Sequence, residues 1–263
     1  MSRVAAMKDS LRETVKAVFW ALLIAGAFRS FVYQPFWIPS GSMKETLLVG
    51  DFLFVNKMAY GFSRHSCPFG LCPFEGRILA SMPERGDIVV FRHPVSGEDY
   101  VKRLIGLPGD RIQVRNGVLY INGTVVPREP AEPFVETYAR QGSARVLPRC
   151  QNSPVRPGDD CIKARAFETL PNGLRYAVLD ITRNGSADNT EVFTVPEGHF
   201  FFMGDNRDNS IDSRFAQEAG GVGFVPFENL IGRADRVIFS SAGSSLLAFW
   251  TWRPDRFLHA LHP

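Results

Sequence analysis

At 263 residues the chain is long enough for one large domain or two modest ones with a full core. Lysine and arginine number 30 against 27 acidic residues, a formal net charge of +3, too near balance to mark a nucleic-acid binder. An apolar fraction of 45% is ordinary, but 23 Gly, 18 Pro and 22 Phe predict many turns joining short aromatic-rich strands, with no fixed-period repeat or low-complexity tract.

Residues Met1 to Arg12 are polar, with Arg3, Lys8 and Arg12 outnumbering Asp9. An apolar, helix-prone stretch then runs from Ala17 to Tyr33 and stops at Pro35. Its 17 residues are the lower limit for crossing a hydrocarbon core of about 30 Å. Arg29 sits near the far end, where its stem can lie in the apolar layer while the guanidinium reaches the interface, the level that suits Tyr33 and Trp37. Three readings stand: a retained anchor, which is preferred, a cleaved secretory signal ending at Ala25-Gly26-Ala27, and a buried core helix. The last is disfavoured because the run is apolar on every face. The basic residues before it keep the N-terminus in the cytoplasm and send the remainder of the chain across the membrane.

After Phe36 the signals turn to β. Asp51–Lys57 is β-prone, Arg85–Phe91 is a short buried strand opened by a Gly-Asp turn, and Tyr100–Gly106 is another, closed by Pro108-Gly109-Asp110. Arg111–Arg115, Asn116-Gly117 and Val118–Ile121 make the clearest hairpin, followed by a second turn at Asn122-Gly123. Residues 127–188 differ in kind, rich in Pro and Arg with scattered strand signals such as Arg175–Leu179, and are expected to be an inserted, more mobile region. The β pattern resumes at Glu191–Val195 and His199–Met203 and ends in Leu230–Ser240. The tail holds Leu246, Leu247, Phe249, Trp250 and Trp252 beside Arg253 and Arg256, a composition suited to packing on the β domain or to lying against lipid, with packing preferred. Cysteines fall as two local pairs, Cys67 with Cys72 and Cys150 with Cys161. Neither has metal-site spacing or nearby ligands, so each is expected to be a local disulfide in an oxidising compartment, or else two free thiols.

Chemistry concentrates in three stretches. Pro39-Ser40-Gly41-Ser42-Met43 puts a serine between small neighbours on a turn, able to present its hydroxyl. Such a nucleophile needs a base within hydrogen-bond reach. The histidines are poor candidates: His65, His93, His199, His259 and His262 have no carboxylate partner in sequence of the kind a triad wants. Lys102, inside Val101-Lys102-Arg103-Leu104-Ile105-Gly106-Leu107-Pro108-Gly109-Asp110, is better placed. Alternation groups it with Leu104 and Gly106, and an inward lysine is desolvated and loses its proton more readily. An edge position in water is the alternative on residues alone. The third stretch is Gly204-Asp205-Asn206-Arg207-Asp208-Asn209-Ser210-Ile211-Asp212-Ser213-Arg214.

Together, in this order, the three resemble the boxes of the bacterial type I signal peptidases, membrane-bound Ser-Lys endopeptidases. The similarity spans Phe36 to Asp51, Gly86 to Asp110, Phe202 to Arg214 and Phe224 to Arg233. It implies a mostly β fold, a coiled sheet or barrel with an inserted β-rich region after one N-terminal transmembrane helix. The corresponding division is 1–16 cytoplasmic, 17–35 anchor, 36–126 with 189–263 catalytic, and 127–188 inserted. It implies Ser42 as nucleophile and Lys102 as general base, with Ser40 beside the Ser42 N–H in the oxyanion hole. Ser210 would orient the lysine, Asp212 and Arg214 would form a supporting ion pair, and Met43 and Asp205 would be structural neighbours. The implied substrates are exported preproteins with small residues at −1 and −3, bound in shallow pockets near Phe36, Ile38 and Val90. The implied place is the bacterial inner membrane, single-pass, with the catalytic domain on the periplasmic side. No cofactor or metal is called for. Rivals are a specialised Ser-Lys pilin-maturation peptidase of a conjugation system, an autocleaving Ser-Lys repressor, and a non-enzymatic membrane-anchored scaffold. Nothing before Ser42 looks like the DNA-binding helix-turn-helix that the repressor would carry.

Overall fold

The computed structural model describes residues 2–66 and 75–262, so the expected Cys67–Cys72 bridge lies outside the described residues. The chain opens with one helix, Ser2–Phe31, longer at its N-terminal end than the apolar stretch alone predicts. Its described side chains, at 11–26, 29 and 31, are exposed on every side, Trp20 and Leu22 included. Among the described residues no helix is long and apolar enough to cross a membrane.

The rest is mostly β. An eight-stranded antiparallel sheet runs, in spatial order, Tyr33–Trp37, Asp51–Asn56, Leu230–Ser240, Ile88–Arg92, Asp99–Gly106, His199–Met203 and Val225–Pro226, with His259–Ala260 also pairing on Leu230–Ser240. Both ends of this order carry a proline, Pro35 and Pro226, which edge strands tolerate because one side of their backbone needs no partner. The Leu230–Ser240 strand is drawn to the middle by its apolar content and bends there. Its register slips between Leu230 and Gly232, between Ala234 and Arg236, and between Val237 and Phe239.

Among the described residues three smaller sheets complete the β framework, one of them only the short pairing of Phe62–Ser63 with Arg77–Ile78. The Arg111–Arg115 and Val118–Ile121 hairpin forms as the sequence predicts. Asn116 and Gly117 both hold positive φ, 47° and 75°, the backbone that a two-residue turn of matching twist requires. A three-stranded sheet, Arg128–Thr137, Asp160–Thr169 and Arg175–Asp180, forms within the stretch 127–188, where the sequence showed only scattered strand signals. Its Ala166, Leu170, Tyr176 and Val178 share one core with Ile112, Leu119 and Ile121 of the hairpin and Phe201 of the large sheet. Cys150 and Cys161 are joined by a disulfide at the start of its middle strand.

Two further cores lie on opposite faces of the large sheet's Ile88–Arg92 strand. Ile88 and Val90 pack with Ile38, Met43, Leu47, Leu53 and Ile231, while Val89 and Phe91 pack with Leu104, Phe200, Phe202 and Leu230. The tail packs in part on the β domain, the role preferred for it. Trp252 and Phe257 pack on Phe239, with ring centroids 5.0 and 5.1 Å away, whereas Leu247, Phe249 and Trp250 are exposed.

Gly232 lies where the Leu230–Ser240 strand passes close to the end of Asp51–Asn56. A Cβ there would lie 2.4 Å from the Asn56 carbonyl oxygen, a backbone atom that cannot swing aside. Gly232→Ala should therefore lower stability by about 1–3 kcal/mol through forced strand separation. Thermal unfolding followed by circular dichroism measures this, and an unchanged midpoint would show that the strands can part freely.

Candidate active site

Ser42 stands on the turn after the Tyr33–Trp37 strand. The backbone closes back on itself through Ile38 N–H to Asp51 O and Gly50 N–H to Ile38 O, each 2.9 Å. Met43 and Leu47, one helical turn apart and linked by a 2.8 Å bond from Leu47 N–H to Met43 O, sink into the core and fix the turn from below. From the side, Asn206 clamps it: its backbone N–H donates to Ser42 O at 3.0 Å and its Nδ2 to Gly41 O at 2.8 Å. Gly204 permits this closeness, since a Cβ there would sit 2.6 Å from Ser42 O and 2.3 Å from Ser210 Oγ.

Lys102 lies on the Asp99–Gly106 strand, which is buried on both faces from Lys102 onward, so alternation does not separate an inner from an outer side there. It is not at an edge in water. Its Nζ donates to Ser42 Oγ at 2.8 Å and to Val101 O at 3.1 Å, and the ring centroid of Tyr100 is 5.4 Å away. Burial pushes its pKa down from 10.5 to about 8, against the opposing pull of Asp212 and Asp205. Two other buried lysines are also depressed by burial, Lys44 and, with help from Arg29, Lys57, the latter to about 8. Their amines meet Glu136 and Gln141 in one case and Gln34 in the other, so geometry rather than acidity singles out Lys102.

Ser40 Oγ is 3.4 Å from Ser42 Oγ, which puts a second hydroxyl beside the first. Asp212 and Arg214 form a fully buried bidentate pair, Nε to Oδ1 and Nη2 to Oδ2 at 2.9 Å each, and Gly204 N–H donates to Asp212 Oδ2 at 2.9 Å. Burial alone would raise the Asp212 pKa, but Arg214 and these hydrogen bonds hold it below the ordinary value. Ser210 differs from expectation. It lies in the site, against Gly204, but its buried Oγ makes no hydrogen bond of acceptable geometry, to Lys102 or to any other group, though it is near enough to Asp212 to help depress that carboxyl.

Three contacts escaped the sequence reading. Arg103 binds Asp205 through Nε and Nη2 at 2.8 and 2.7 Å and stacks 4.3 Å from the Tyr176 ring. Arg207 binds Glu168 of the three-stranded sheet at 2.9 and 2.5 Å. Asn206 holds the serine turn. Arg103, Arg207 and Asn206 were all visible as motif members, but their partners lie far off in sequence. Among the described residues no group of three or more His, Cys, Asp and Glu is placed to hold a metal.

A cavity of about 370 Å³ opens on Ser42 and Lys102 and is walled by Phe36, Ile38, Val90, Tyr100, Val101 and Ile211. Phe36, Ile38 and Val90 are the three side chains the sequence placed there. A larger cleft of about 1170 Å³, lined by Phe134, Tyr176 and His262 among others, includes neither Ser42 nor Lys102.

A family model described as "Signal peptidase, peptidase S26" matches residues 11–239. A protein of Rickettsia typhi (strain ATCC VR-144 / Wilmington) named Signal peptidase I is 42% identical over 243 residues, 87% of this chain and 82% of its own. The Signal peptidase I of Rickettsia akari (strain Hartford) is 42% identical over 248 residues, 89% and 83% of the two chains. A solved signal peptidase I from Enterococcus faecalis V583 is 27% identical and covers 58% of this chain and 97% of its own, at a TM-score of 0.30.

Because Lys102 is more easily deprotonated folded than unfolded, it destabilises the fold below pH 8, where both states hold the proton and the folded one buries the charge, and the cost fades as pH rises toward 10.5. A shift of this size corresponds to about 3 kcal/mol. Lys102→Met should accordingly raise the unfolding midpoint at about pH 6, with the gain shrinking above about pH 9. Denaturation at the two pH values tests this, and equal midpoints at both would mean the amine is hydrated.

Proposed function

Since the chain belongs to the signal peptidase S26 family, we propose that Ser42 is its nucleophile and Lys102 its general base in cutting signal peptides from exported preproteins. The chain is a serine endopeptidase of the signal peptidase I type. The observation that carries the assignment of roles is the 2.8 Å contact between Lys102 Nζ and Ser42 Oγ in a buried setting.

Neutral Lys102 takes the Ser42 proton as Oγ attacks the scissile carbonyl carbon. The negative charge that develops on the carbonyl oxygen is held by the Ser42 N–H and the Ser40 hydroxyl. Collapse breaks the C–N bond, and the ammonium of Lys102 returns its proton to the leaving amine, freeing the mature protein. The signal peptide remains as an ester on Ser42. Lys102 then accepts a proton from water, whose attack releases the peptide as a carboxylate and restores the serine. Asp212, locked on Arg214, keeps a negative charge near the lysine and tempers the fall in its pKa. Ser210 packs against Gly204 beside the site and takes the role of a packing neighbour.

The aromatic and branched side chains around the cavity leave room for small substrate residues and exclude large ones, in keeping with small residues at −1 and −3. The apolar stretch 17–35 serves as a single-pass anchor in the bacterial inner membrane, with the 36–126 and 189–263 catalytic portion on the periplasmic face and 127–188 as its insertion. What supports the anchor is a helix whose described apolar side chains, Val18, Phe19, Trp20, Leu22, Leu23 and Ile24, are exposed all round, a costly arrangement in water and a suitable one in lipid.

Ser42→Ala and Lys102→Ala should each abolish cleavage of a model preprotein by the detergent-solubilised protein, and the double variant should be no worse than either alone. Lys102→Arg should be equally inactive, since a guanidinium keeps its proton at working pH. Turnover by Ser42→Ala would remove the proposed nucleophile.

The pH profile reports the base separately. With a pKa of about 8 for Lys102, kcat/KM should rise along an alkaline limb centred there as the amine loses its proton. A limb near pH 6.5, flat above about pH 8, would assign the base to a histidine instead.

A further inference from the structure

The serine turn is held on one side by Asn206 and on the other by a residue of its own, Lys44. The Lys44 side chain is buried, and its stem lies on Gly41: a Cβ at Gly41 would be 3.3 Å from Lys44 Cε and 3.5 Å from Cδ. Its amine is then carried away from the turn to the three-stranded sheet. There it donates to Glu136 Oε2 at 2.5 Å and to Gln141 Oε1 at 2.8 Å, while Gln141 Nε2 donates to Glu136 at 2.6 Å. Lys163, also buried, pairs with the other oxygen of Glu136. One carboxylate thus serves two buried ammonium groups. Burial would raise its pKa, but Lys44, Gln141 and Lys163 together hold it below the ordinary value.

The geometry bears on the reaction through one peptide plane. Gly41 C=O and Ser42 N–H belong to the same planar unit, so whatever fixes the direction of that carbonyl fixes the direction of the N–H. The carbonyl accepts from Asn206 Nδ2 at 2.8 Å and from Lys44 N–H at 3.3 Å, and the Lys44 stem covers the adjoining Cα. That N–H is the proposed backbone donor to the oxyanion, and donors of this kind act only when aimed beforehand.

We propose that Glu136 is a positioning residue for the serine turn, acting through Lys44, so that the sheet formed by residues 128–180 takes part in aiming the oxyanion donor. The proposal rests on the reading of Ser42 as nucleophile. Without the Glu136 charge, the Lys44 amine is left buried beside that of Lys163 with no carboxylate. It then draws its stem off Gly41 toward water.

Glu136→Gln keeps the size and removes the charge. Its kcat should fall about tenfold or more with KM within about twofold of wild type, the signature of an interaction that matters in the transition state. Lys44→Met, which keeps a stem of similar length but loses the tether, should show the same split. Lys163→Met removes the second amine and leaves the Lys44–Glu136 bond, so its kcat should stay within about twofold although it too loses stability. All are assayed on the full chain at a temperature where circular dichroism shows the variant folded, with Ser42→Ala alongside. If Glu136→Gln does not fold, Lys44→Met decides alone. Wild-type kcat in the variants that fold, a change in KM alone, or an equal loss of kcat in Lys163→Met would overturn the proposal. An inactive Ser42→Ala would at the same time leave the reading of the nucleophile standing.

Discussion

A lysine amine within 2.8 Å of a serine hydroxyl can work as a base only where water is kept from it, and the role proposed for Lys102 depends on that requirement. The Asp99–Gly106 strand is flanked on both sides in its sheet and, from Lys102 onward, covered on both faces, a setting ordinarily given to Val and Ile. Placing Lys102 and Arg103 there imposes a desolvation cost, which the protein meets differently at the two positions. Arg103 is neutralised by a bidentate carboxylate, while Lys102 is left without one in contact and so holds its proton less tightly.

The ion pairs around the site make more sense as devices for shape than for stability. A buried pair gains little over an apolar replacement of equal volume, yet its geometry is narrowly defined. Arg103 with Asp205, Arg207 with Glu168 and Arg214 with Asp212 are all bidentate and all sit in or against the Gly204–Arg214 loop. They pin a loop that has little regular secondary structure beyond one short turn at Arg207–Asn209. With that loop fixed, Asn206 can hold the serine turn, so the rigidity of an irregular segment is supplied by charge pairing in place of a strand ladder.

How much of this was legible in the sequence depended on the reach of each interaction. The Asn116-Gly117 hairpin was readable because its cause is local, two residues that accept positive φ between alternating strands. Ser42, Lys102, Asp212 and Arg214 were readable as members of three motifs, and the structure brings all four together with Ser40 and Ser210. The Glu136 and Glu168 carboxylates were not, since each sits on a strand with weak β signals and finds its partner across the fold. Ser210 shows the remaining gap: its position in the site was visible, but the direction of its hydroxyl is set by packing against Gly204, which no local pattern encodes. The stretch 127–188 was expected to be loosely built because its Pro and Arg content hides the alternation. In the fold, Tyr176 and Val178 close a core with the hairpin.

The placement of Leu230–Ser240 ties the site to contacts made over long stretches of sequence. This strand lies between Asp51–Asn56 and Ile88–Arg92 in the sheet, separating the half that bears Ser42 from the half that bears Lys102. Its register on Asp51–Asn56 and on Ile88–Arg92 therefore sets how the two halves meet. Pairings between parts of a chain so far apart in sequence are of the kind that form slowly, so the meeting of Ser42 with Lys102 waits on contacts that are not local.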